Sequence, residues 1–94
     1  MTLDMKMYDK IQADVRVIAQ QKHRLYGGHS LTLFNGMAIL CRMNDKIQRL
    51  NTMYNIPDTQ AFTGSEDETI DDTLQDLINY AIYMIMLRNG GIKD

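Results

Sequence analysis

At 94 residues with an apolar share of 45%, the chain is sized for a single globular domain, residues 1–94, and is too apolar to be disordered. Its one cysteine, Cys41, excludes an internal disulfide framework and suits a reducing compartment. The opening stretch MTLDMKMYDK has no apolar leader core and no apolar run approaches ~18 residues, so a cytoplasmic protein without membrane contact is expected. The net charge of −2 hides an asymmetry: residues 1–49 hold eight Lys/Arg against four Asp/Glu, and residues 50–87 hold seven acids and no base. A pI of 5.5 argues against direct nucleic-acid binding. A split of this kind suits basic and acidic surfaces that face each other or share a ligand, with a solvated acidic helix as the plain alternative.

The first element is a long helix. Tyr8, Ile11, Val15, Ile18, Lys22 and Leu25 recur at steps of three and four, which marks one face. Tyr26-Gly27-Gly28 should end it, because paired glycines supply the left-handed backbone of a C-cap. Lys22 sits on the apolar stripe, where it either snorkels to water or meets an anion. After the connector GGHSLTLFN, a second helix is expected from near Gly36 to about Tyr54, with Ile39, Leu40, Met43, Ile47, Leu50 and Met53 as its apolar line. Pro57 and the residue before it break that helix, and residues 59–64 read as a polar loop.

The third helix opens with a capping box, Ser65 to Glu68, followed by acids that suit the helix dipole. Ile70, Leu74, Leu77, Ile78, Ala81, Ile82 and Ile85 form its apolar stripe, and Asn89-Gly90-Gly91 stops it. The fold class is all-α. Three helices of this length give a thin core, and the third carries Tyr80, Tyr83, Met84, Met86 and Leu87 beyond its main stripe. A homo-oligomer that completes a helical bundle is therefore expected, a dimer or higher.

Two polar groups carry the candidate chemistry. On the second helix Arg42, Asp45, Lys46 and Arg49 fall at i, i+3, i+4 and i+7, along one strip. Three cations and one acid make a poor metal box and a good phosphate clamp, with arginine forks and a lysine point charge on oxygen. On the third helix Asp72, Asp76, Asn79 and Tyr83 line up opposite the apolar stripe. That reads either as a wet face or as carboxylates placed to share magnesium. The plainest alternative pairs the bases with Asp72 and Asp76 across a helix interface. Cys41 has no histidine near it in sequence, so a thiol nucleophile has little support. His23 and His29 flank the glycine turn and read as surface or cap groups, and the Gly27-Gly28 pair is too short for a phosphate loop.

Taken in order, Lys22-x-x-x-Tyr26-Gly27, then Arg42-x-x-Asp45-Lys46-x-x-Arg49-Leu50, then Glu68-x-x-x-Asp72-Thr73-Leu74-x-Asp76-Leu77-x-Asn79-Tyr80-Ala81 resembles the first of the nucleotide-modification-associated domain families, found in bacteriophages and their hosts. The likeness spans residues 8–88. In helix pattern that family resembles the all-α nucleoside-triphosphate pyrophosphohydrolases of the MazG type. The resemblance implies an oligomeric bundle that binds a nucleotide between helices and, in true enzymes, releases pyrophosphate with Mg2+. It also implies Asp45, Asp72 and Asp76 as catalytic groups, and Asp45, Glu68, Asp72 and Asp76 as metal ligands. The nucleotide and its phosphates would fall to Lys22, Tyr26, Arg42, Lys46, Arg49, Asn79, Tyr80 and Tyr83. The sequence departs from the enzymes' acidic motifs: Lys46 and Arg49 stand where EExxE has its later glutamates, and Thr73 stands at the glutamate of ExxD. Exchanging two carboxylates for two cations shifts local charge by about +4, toward phosphate and away from metal. Two functions follow from the likeness: a magnesium-dependent pyrophosphohydrolase, or a non-catalytic nucleotide binder. The binder would be a sponge for a nucleotide second messenger in anti-defence, or an accessory to DNA base modification. A third reading, an adaptor whose charges only pair with one another, needs no ligand.

Overall fold

The computed structural model describes residues 1–26, 32–54 and 68–92, apart from the side chains of Tyr26, Leu33, Glu68 and Thr69. The described regular structure is helical throughout: α1 over Met5–Tyr26, α2 over Met37–Tyr54 and α3 over Glu68–Arg88, with a short 3-10 turn at Leu33–Gly36 leading into α2. No described helix is long and apolar enough to cross a membrane. The capping-box residues Ser65 to Asp67, the break at Pro57, the loop 59–64, the Gly27-Gly28 pair and His29 lie outside the described residues.

Local chemistry sets the ends of the helices. Asp4 precedes α1, and its Oδ1 accepts the amides of Lys6 and Met7, each at 3.1 Å, so one side chain satisfies two of the first turn's free donors. At the end of α3, Gly91 donates to the Met86 carbonyl at 2.8 Å and Gly90 to the Leu87 carbonyl at 3.4 Å. That pair of bonds, with Gly90 at φ +75°, is a Schellman motif at the expected stop. The entry to α2 is less ordinary. Phe34 and Asn35 both adopt left-handed backbone, at φ 54° and 55°, and Gly36 follows at φ 91°. Gly36 is buried, and a Cβ there would lie 2.9 Å from Leu87 Cδ2 and 3.1 Å from Met84 Sδ. The turn thus brings the start of α2 against the last turns of α3 at a closeness only glycine permits.

α2 and α3 pack most closely, and α1 lies against α3. The described core is small: Val15, Ile39 and Ile70 are buried, with the polar Thr73 and Asn79 beside them. Much of the apolar pattern faces outward. On α1, Tyr8, Ile11 and Leu25 are exposed, and only Val15 of the predicted face is fully buried. On α3 the expected stripe is split: Ile70 is buried and Leu77 and Ala81 are partly covered, but the rest turns outward. Leu74, Ile78, Ile82 and Ile85 run along the outside, from 37% exposed at Leu74 to 61% at Ile85. Asp76, Asn79 and Tyr83, read from sequence as opposite the core, turn toward the other helices, and of that polar line only Asp72 remains exposed.

Candidate functional site

The inward polar edge of α3 is built around Asp76, half-buried between all three helices. Lys22 of α1 donates to its Oδ1 at 2.7 Å, and Lys46 of α2 reaches its Oδ2 at 3.1 Å. One carboxylate therefore joins three helices through two ammonium groups, one on each oxygen. Burial alone would raise the Asp76 pKa; the hydrogen bonds and charges of Lys22 and Lys46 outweigh it and hold the carboxyl below its usual range. Burial works against the Lys22 ammonium as well, and the bond and charge of Asp76 more than compensate, holding it above its usual value. Of the two outcomes open to Lys22 on its apolar stripe, it meets an anion, and Lys46 meets the same inward aspartate.

Asn79, one turn further along α3, is 5% exposed and donates its amide to the Val15 carbonyl at 3.1 Å. That bond fastens α3 to α1 and gives Asn79 a structural partner. Among the described residues no buried side-chain polar atom lacks a hydrogen-bond partner.

Beside the triad, Arg42, Asp45, Lys46 and Arg49 of α2 and Tyr80 of α3 line an open cleft of about 290 Å³. The i, i+3, i+4, i+7 spacing aligns the four charged side chains over two turns, and the packing of α3 on α2 brings Tyr80 to the same place. Tyr80 meets Tyr83 edge-to-face, with ring centroids 6.2 Å apart and planes at 71°. Burial holds the Tyr83 phenol above its usual pKa, against the nearby Lys22 charge, with Tyr80 and Asp76 adding to the effect. The cleft is at the small end of ligand sites, large enough for a phosphate group and part of what it carries.

All five lining residues belong to the candidate set. Lys22 and Asp76 stand behind the cleft, linked to it through Lys46; Tyr83 supports Tyr80; Asn79 is engaged with α1; Asp72 lies on the exposed side of α3. The side chains of Tyr26 and Glu68 are outside the described set. The alternative that pairs the α2 bases with Asp72 and Asp76 is realised in part, by Lys46 on Asp76, while Asp72 stays exposed; what the sequence pattern missed is that Lys22 shares the same carboxylate and that Asn79 bonds to backbone.

A divalent cation needs several oxygen ligands in one place. Among the described residues, no three or more His, Cys, Asp or Glu side chains gather closely enough to hold a metal. Asp76 has an ammonium on each oxygen, and Asp45 stands among cations. The described donors do not fit a magnesium centre.

Protein-family models, curated proteins and solved structures were each compared with the chain, and none matches it.

Proposed function

We propose that this protein is a non-catalytic nucleotide-binding protein of MazG-like form, which captures a phosphate-bearing ligand on the α2 strip and works as a homo-oligomer. The observation that carries the reading is the charge arrangement of one cleft: Arg42, Lys46 and Arg49 converge beside Tyr80, while Asp76, the acid best placed to serve a metal, is neutralised by Lys22 and Lys46. Arginine forks and an ammonium suit phosphoryl oxygens, and an aromatic wall suits a base. Water attack on a phosphoanhydride requires carboxylates to hold metal and orient the nucleophile, and the lining offers one, Asp45. Capture without turnover is the role of a sponge for a nucleotide messenger, in keeping with the resemblance to phage-type families.

The outer faces support the oligomer. Leu74, Ile78, Ile82 and Ile85 on α3, with Ile11 and Leu25 on α1, form apolar strips that a lone protomer leaves in water. Isothermal titration with pyrophosphate and nucleoside diphosphates, with and without Mg2+, tests the binding. Saturable binding that does not need the metal and yields no phosphate release is expected, and Lys46→Ala should abolish it while the assembly elutes unchanged. Phosphate release from the diphosphates, or pyrophosphate release from the corresponding triphosphates, at catalytic rates, or full affinity in the variant, would reverse the conclusion.

A further inference from the structure

Asp45 is the misfit of the cleft. A carboxylate beside three cations weakens their hold on phosphate, so a site for the anion alone has no use for it. Its carboxylate is exposed to water and takes none of the protein partners common for a helical aspartate. It lies mid-helix in α2, away from the N-terminal turn where it would cap amides. Arg42 and Arg49 are within intrahelical reach at i−3 and i+4, yet among the described residues no ion pair or hydrogen bond involves Asp45. Its two oxygens accept only, and they stand in the same cleft as the Tyr80 ring.

We propose that Asp45 reads the base and selects guanine, an inference that rests on nucleotide binding at this cleft. A base stacked on Tyr80 presents its edge across the cleft toward α2. Guanine offers two adjacent N–H donors on one edge, the ring N1–H and the 2-amino group, which match the two oxygens of a carboxylate. Adenine and cytosine place an acceptor beside their amino group, and uracil flanks its single N–H with two carbonyls that repel a carboxylate. The edge-to-face contact of Tyr83 on Tyr80 holds the stacking wall in one orientation, which makes the position of that edge definite. The cations then fix the phosphates and Asp45 decides the base, so affinity and selectivity reside in different side chains of one helix.

The test is calorimetric titration of the intact protein with GDP, IDP, ADP, UDP and pyrophosphate. IDP differs from GDP by the missing 2-amino group. Wild type should bind GDP at least about tenfold more tightly than IDP or UDP, as expected when one charge-assisted hydrogen bond is present only with GDP. Asp45→Ala, a helix-favouring change at an exposed position, should bring GDP to the IDP level and leave pyrophosphate as tight or tighter. Equal affinity for GDP and IDP in wild type, or an undiminished preference in the variant, would overturn the assignment of Asp45 alone, provided pyrophosphate binds. If pyrophosphate and all four nucleotides fail to bind, the cationic cleft is not an anion site and this inference falls with it.

Discussion

Replacing Asp76 by Asn keeps the shape and one acceptor of the side chain but removes the charge that joins three helices. The bond to Lys46 is the sheltered one, with the side chains 22% and 17% exposed, and the Lys22 side chain is 46% exposed. Charge-assisted hydrogen bonds contribute roughly 1.5–3 kcal/mol each when protected, and exposed pairs about 0–1 kcal/mol. Discounting Lys22 accordingly, the substitution should cost about 2 kcal/mol, a fall in Tm of about 8–16 °C for a domain of this size. The pH dependence carries the sharper test. The folded pKa of Asp76 is depressed, so its stabilisation is complete above the unfolded value near ~4 and is lost as pH falls through the folded value. Circular-dichroism melts at one protomer concentration should show the full gap between wild type and variant at pH 7 and pH 5. The gap should close in more acidic solution, where the wild-type Asp76 is protonated and as uncharged as the asparagine. A gap under about 2 °C at neutral pH, or one that persists undiminished into acid, would show that the triad does not hold the helices together.

The remaining predictions concern packing and assembly. Gly36→Ala should destabilise by about 2–4 kcal/mol, because the new methyl meets Leu87 and Met84 while the backbone stays at φ 91°; urea denaturation measures it as a lower midpoint. Ile78→Asp combined with Ile85→Asp places two charges on the outer apolar strip of α3, and light scattering should report monomer in place of the proposed oligomer.

The helices are legible in the sequence because their signals are local. Gly90 and Gly91 close α3, and the ends expected at Tyr26, near Gly36, at Tyr54 and before Asn89 fall within a residue of the observed bounds. The cleft is legible for the same reason: Arg42, Asp45, Lys46 and Arg49 share one helix, so their convergence needs only the 3.6-residue period. Orientation was not legible. The apolar stripe of α3 and its polar line are equally periodic, and periodicity does not say which side meets α1 and α2. The usual inference, that the apolar side faces the protomer core, fails at Ile78 and Ile85 and at Asn79. The left-handed pair Phe34–Asn35 was also hidden, since neither a phenylalanine nor a single asparagine signals that backbone ahead of Gly36.

A helix that is ionic within and greasy without puts two levels of the architecture under opposite solvent control. Concentrated kosmotropic salt screens the lysine–aspartate joint inside each protomer yet tightens any contact made by the aliphatic ridge outside. Dilute buffer does the reverse. In the proposed assembly, ionic strength therefore acts in opposite directions on the rigidity of the single chain and on the cohesion between chains.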